Sequence, residues 1–158
     1  MFPRINTALK QKKYDYDYDY DYKMMFDGCS KGNPGLSGAG SVIYFNSVEI
    51  WSGDLFVGER FTNNYAEYIG LIYGLEQALN LGIKTLKVEG DSLLVINQMK
   101  GLYSCKSLNL LELYEKSKKL EKEFDKIEYV HVLRNLNKKA DALSNIAIDK
   151  YLFEIENR

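Results

Sequence analysis

The apolar residues of this chain change their period near residue 62, and that change narrows the folds open to it more than any other feature. Before it they come in short blocks at residues 24–27, 39–45 and 49–57, separated by a small-residue stretch at 28–40 and a polar turn at Asn46 and Ser47. Blocks of that length with that punctuation predict three antiparallel strands, with 28–40 read as a turn. After it the period is helical: Ala66, Ile69, Ile72, Tyr73, Leu75, Ala78 and Leu79 trace one stripe, opened by Thr62 or Asn63 and stopped near Gly82. A fourth strand follows at 85–89, then a short helix at 92–99 ended by Gly101. Leu110, Leu113, Leu120 and Phe124 mark one face of a longer helix, 127–133 reads as a fifth strand, and a last helix runs from about 137 to 148. Three strands, helix, strand, two helices, strand and helix predict an α/β domain, a five-stranded mixed sheet with helices on both faces.

The chain has 158 residues, enough for one domain with little left over. Its composition shifts at Lys23. In residues 10–23, Tyr14, Tyr16, Tyr18, Tyr20 and Tyr22 alternate with Asp15, Asp17, Asp19 and Asp21, which divides the chain into a low-complexity tail at 1–23, a domain at 24–150 and a short extension at 151–158. The tyrosines share parity with Met24 and Phe26, so the repeat also admits a second reading, an extension of the first strand with its rings on one face. The formal charge of -1, from 21 basic and 22 acidic side chains, excludes a protein that holds nucleic acid by bulk charge alone, though not one with a local basic groove. No apolar run is long enough to span a membrane and residues 1–13 do not read as a signal peptide, so an intracellular, non-secreted protein is expected. Cys29 and Cys105 stand apart with no metal-binding spacing.

Four acidic residues stand where elements begin or end. Asp27 closes the first strand, Glu67 lies in the first turn of the first long helix, Asp91 follows the fourth strand, and Asp141 opens the apolar part of the last helix. Singly, each has an ordinary explanation as a turn former, a helix-dipole partner or a solvated residue. Parallel strands one and four would be neighbours, however, and would bring Asp27 and Asp91 together. Clustered carboxylates repel unless a cation lies among them. Oxygen donors without His or Cys point to Mg2+ or Mn2+, and a pair of such ions roughly 4 Å apart is suited to phosphodiester cleavage.

At these residues the chain resembles type 1 ribonuclease H. The likeness rests on Phe26-Asp27-Gly28-Cys29-Ser30-Lys31-Gly32-Asn33-Pro34-Gly35, Thr62-Asn63-Asn64-Tyr65-Ala66-Glu67, Gly90-Asp91-Ser92 and Asn137-Lys138-Lys139-Ala140-Asp141, in the family's order and over residues 24–150. It implies a ribonuclease H-like fold and hydrolysis of the RNA strand of RNA–DNA hybrids to 5′-phosphate and 3′-hydroxyl ends. Asp27, Glu67, Asp91 and Asp141 would be the catalytic carboxylates holding two Mg2+ ions, with Mn2+ as a substitute. Gly28, Ser30, Asn33, Asn63 and Asn64 would approach the minor groove of the hybrid, where the 2′-hydroxyl distinguishes RNA. The expected form is a monomer, with no protein partner identified.

Three departures from the family pattern stand out. Leu93 occupies a position that often carries Gln, either losing a groove contact or packing inward. His131, the single histidine, falls inside the fifth strand, which favours a packed or strand-face residue over a proton shuttle and leaves Arg134 nearby. The segment between Gly101 and Lys126 lacks a basic, Trp-containing handle, so hybrid binding should be salt-sensitive. Lys138 and Lys139, beside Asp141, are candidates for a phosphate. Two other readings stay open: a non-catalytic nucleic-acid binding module, and a nuclease of the same superfold acting on double-stranded RNA or DNA. All four carboxylates are present, which favours an enzyme.

Overall fold

The structure, a computed structural model, describes residues 20–158. Strands β1 (Tyr22–Lys31), β2 (Gly35–Phe45) and β3 (Val48–Phe61) lead into helix α1 (Asn63–Asn80). Strand β4 (Thr85–Gly90), helices α2 (Leu93–Met99) and α3 (Leu108–Glu121) and strand β5 (Lys126–His131) follow. A single 3-10 turn (Arg134–Leu136) then introduces helix α4 (Lys138–Glu156). The sheet order is β3-β2-β1-β4-β5, with β2 antiparallel to both of its neighbours β1 and β3, and with β1, β4 and β5 parallel.

Central strand β1 is apolar on both faces because both are covered. Met24 and Phe26 join Leu71 and Leu75 of α1, Val95 and Ile96 of α2 and Leu110 of α3 in the main core. Met25 points to the opposite side, where it meets Val42 and Leu143 of α4. Helices thus lie on both faces, as expected. Helix α1 is packed between the sheet and α3, so it buries more than the stripe read from its period: Tyr68 and Leu71, outside that stripe, are fully buried.

The small-residue stretch at 28–40 is mostly strand, not turn. β1 and β2 pair without interruption from Tyr22↔Phe45 to Lys31↔Leu36, which confines the turn to residues 32–34. The reason for the small residues is close packing: a Cβ on Gly38 would lie 2.1 Å from the backbone oxygen of Ser144 in α4. The β2–β3 turn at Asn46 and Ser47 is as expected, both residues at positive φ (47° and 69°), the conformation of a two-residue hairpin.

Strand β3 runs past 57 to Phe61, strand β5 ends at His131 and not at 133, and the boundaries nearest the chain ends move as well. Helix α4 does not stop at 148 but runs unbroken to Glu156, into the segment read as a C-terminal extension. Its last turns are fastened to β3 by Lys150 on Asp54 (2.9 Å), by Tyr151 stacked on Phe56 with ring centroids 3.9 Å apart, and by the Tyr151 hydroxyl donating to Glu59. At the other end, β1 starts at Tyr22, whose ring lies 4.9 Å from that of Phe45, and Tyr20 is buried with the Lys126 ammonium 4.8 Å from its ring centroid. The last two tyrosines of the repeat therefore pack with the domain, while the tail reading for residues 1–19 lies outside the described residues. Among the described residues no helix is long and apolar enough to cross a membrane.

Candidate active site

The register of β1 and β4 sets the site. Phe26 is paired with Gly90, so the next residue in each strand, Asp27 and Asp91, leaves the same end of the sheet side by side. Glu67 arrives from α1, which begins where Thr62 Oγ1 accepts the backbone N–H of Tyr65 at 3.2 Å. Glu67 lies just past the first turn, so the helix dipole does not account for it. Helix α1 presses on β1 at Gly28, where a Cβ would lie 2.2 Å from the backbone carbon of Ala66 and 2.3 Å from the nitrogen of Glu67. Only a glycine permits that approach. Asp141 projects from the first turn of α4.

One carboxylate oxygen from each of Asp27, Glu67 and Asp91 falls within a mutual 4.8 Å. Asp141 joins them in lining a cleft of about 250 Å³, with Gly28, Cys29, Asn63 and Arg134 completing the walls. All four predicted carboxylates thus meet in one place, three tightly and Asp141 at the rim.

Burial dominates their electrostatics. It pushes the Asp27 carboxyl from its ordinary 3.8 to about 7; a hydrogen bond with Glu67 offsets part of this and the charge of Asp91 adds to it. Glu67 is raised well above the usual carboxylate range, first by burial and then by the charge of Asp27. Burial raises Asp91 too, opposed by a hydrogen bond from Asn137 and by the Arg134 charge. Oε2 of Glu67 is buried without a hydrogen-bond partner. Crowded acids with raised proton affinity and a bare inward oxygen form a donor set suited to a hard divalent cation.

Beside the acids lies a shelf of the other predicted residues. Asn63 Oδ1 accepts the backbone N–H of Ser30 at 2.7 Å, and Asn33 Oδ1 accepts that of Asn63 at 3.0 Å. The Ser30 hydroxyl donates to the carbonyl of Phe61 at 2.6 Å, so its proton is committed within the fold. Asn64 is exposed on the first turn of α1, outside the residues that line the cleft.

The remaining candidates divide. Lys139 pairs with Glu49 at 3.6 Å, and neither it nor Lys138 lines the cleft. The cation that does is Arg134, its guanidinium 3.9 Å from Asp141. His131 ends β5 exposed, and its Nε2 lies 3.2 Å from the backbone oxygen of Asp91. Leu93 is 49% exposed and does not pack inward. Sequence reasoning placed Asn137 at the start of the last helix and within the fourth motif but gave it no role; it lies 1% exposed, and an asparagine at a helix start has an ordinary explanation as a cap.

Comparison with known proteins agrees with this geometry. A family model described as reverse transcriptase-like matches residues 25–147. The bifunctional protein Rv2228c of Mycobacterium tuberculosis is 42% identical over 125 residues, covering 78% of this chain and 34% of its own length. Ribonuclease HI of Halobacterium salinarum is 38% identical over 125 residues, covering 78% of this chain and 62% of its own. The chain thus spans about a third to three fifths of the length of these curated relatives. The solved N-terminal RNase H domain of Rv2228c superposes with a TM-score of 0.80 at 39% identity, over 85% of this chain and 97% of that one. LC11-RNase H1, solved in complex with an RNA/DNA hybrid, gives 0.78 at 34%, over 83% and 99%. Strand order, the meeting of the four acids and these likenesses lead to one assignment: the chain belongs to the type 1 ribonuclease H family.

Proposed function

We propose that the protein is a metal-dependent endonuclease that hydrolyses the RNA strand of RNA–DNA hybrids, leaving 5′-phosphate and 3′-hydroxyl ends. The observation that carries this reading is the convergence of Asp27, Glu67 and Asp91 from three separate elements within 4.8 Å, on a cleft that Asp141 and Asn63 also line. Asp27, Glu67, Asp91 and Asp141 would hold two Mg2+ ions, with Mn2+ as a substitute. Such ions, when bound, supply an activated water and stabilise the charge on the departing oxygen.

The chain's own groups do the rest. The backbone N–H of Gly28 donates to Asp27 Oδ1 at 2.9 Å and fixes that carboxylate's rotation. Ser30 holds the carbonyl end of Asn63, leaving the amide hydrogens for a sugar or base oxygen. The exposed guanidinium of Arg134 brings positive charge to the rim beside Asp141, where a phosphate of the RNA strand would lie. A relative with 34% identity has been solved with an RNA/DNA hybrid, which supports the same substrate here. All these groups come from one chain, consistent with a monomer, and the free thiols of Cys29 and Cys105 suit a reducing, intracellular setting.

The test is cleavage of end-labelled duplexes at low salt with Mg2+, comparing RNA–DNA hybrid, double-stranded RNA and DNA, with Asp91→Asn alongside. Hybrid-only cutting that vanishes in the variant is expected. Binding without cutting under Mg2+ or Mn2+ would assign a binding module instead, and preferential cutting of another duplex would assign another nuclease of the superfold.

A further inference from the structure

We propose that Asn137 is a positioning residue of the carboxylate site, its buried amide tying Asp91 to the strand that carries Asp27 and to the helix that carries Asp141. The inference rests on the functional reading above and concerns a residue outside the four acids.

Three contacts converge on Asn137. Its Nδ2 donates to the backbone oxygen of Phe26 at 2.8 Å, the residue before Asp27 and the register partner of Gly90. The same side chain lies within interacting reach of the Asp91 carboxylate. Its backbone oxygen accepts the N–H of Asp141 at 3.1 Å, closing the first turn of α4. One residue therefore connects the supports of three carboxylates borne on β1, on the end of β4 and on α4.

Stability alone does not explain this arrangement. Asn137 occupies the position before α4 where an asparagine side chain normally accepts an N–H of the first turn, a contact worth about 1 kcal/mol. Here it makes no such contact and turns inward. Its Oδ1 is buried without a partner, and an unpaired buried acceptor costs about 1 to 3 kcal/mol. The residue forgoes a cap and carries an orphaned oxygen while its amide donates to the backbone beside Asp27. That pattern belongs to a group that orients ligands, because hydrogen-bond partners behind metal-binding carboxylates set their direction and charge.

The experiment titrates Mn2+ into the full-length protein by calorimetry near 20 °C, for wild type, Asn137→Ser and Asn137→Ala, with melting curves in chelator and steady-state kinetics on hybrid. Serine removes the bridge but is itself a good cap, so the Ser variant should melt close to wild type. Its Mn2+ affinity should fall about 10- to 100-fold. The turnover number kcat should fall in parallel, with KM for hybrid changed less than about twofold, as for a residue acting through the acids and not on the duplex. Mn2+ affinity and kcat within about twofold of wild type in a folded variant would overturn the proposal, whatever happens to melting. Failure of both variants to fold would assign the contact to stability and overturn it as well. A wild type that binds Mn2+ yet cuts no hybrid would refute the functional reading and leave the positioning role to stand on the metal titration.

Discussion

Replacing Asp27 by Asn should make the metal-free protein more stable near pH 8 while removing its cleavage activity. The native fold lifts this carboxyl from 3.8 to about 7, chiefly by burying it. Between those values the folded protein retains a proton that the unfolded chain has released, so the folded state binds more protons and stability falls as pH rises. Below about pH 4 both states are protonated and the penalty is absent; above about pH 7 it is complete. The difference converts to a penalty on the order of 4 kcal/mol. An asparagine keeps the Oδ1 that accepts the Gly28 N–H at 2.9 Å and offers a permanent donor toward Glu67. In a domain of this size each kcal/mol moves Tm by roughly 2 to 4 °C, so relief of the full penalty is worth at most about 16 °C. Scanning calorimetry in chelator, wild type against variant, should show the variant melting several degrees higher near pH 8 and the gap closing below about pH 4. Saturating Mn2+ should raise the wild type more than the variant. A variant that melts no higher than wild type near pH 8, or a gap that does not change with pH, would refute the argument that burial of charge governs this site.

Further outcomes follow from individual contacts. Gly28→Ala places a methyl 2.2 Å from the backbone of Ala66 and should cost about 3 kcal/mol or more in urea unfolding while reducing cleavage, because α1 and Glu67 must retreat; an unchanged midpoint would show that α1 yields freely. His131→Ala should lose less than about tenfold in kcat, since the hydrogen bond its ring makes is to the backbone of Asp91, at 3.2 Å, and not to a carboxylate; a loss near a hundredfold would identify a proton shuttle. Deleting residues 1–22 should destabilise the domain by about 2 to 4 kcal/mol relative to deleting 1–19, because the longer cut removes Tyr20 from its buried place and Tyr22 from Phe45; equal melting of the two truncations would return both rings to the tail.

Local sequence determined the order and type of the elements. Strand and helix periods are set by neighbours a few residues apart, and Thr62, Asn46 and Ser47 mark their own turns and caps. It also singled out the acids that meet in the cleft, because Asp27, Glu67, Asp91 and Asp141 stand in the four short motifs that carry the family resemblance. Other features were decided by contacts between residues far apart in the chain. The 28–40 stretch looks like a loop, yet it is mostly strand, because its small residues answer to helix backbones far along the chain, Gly28 to Ala66 and Gly38 to Ser144. The extent of α4 depends on β3, whose Asp54, Phe56 and Glu59 hold turns that the helix's own apolar pattern does not mark. Arg134 gains its place from the cleft and not from its loop. Asn137 is the clearest case: its sequence position says cap, and only the junction of β1, β4 and α4 turns its side chain inward to Phe26 and Asp91, since a hydrogen bond between residues 111 apart leaves no local signature.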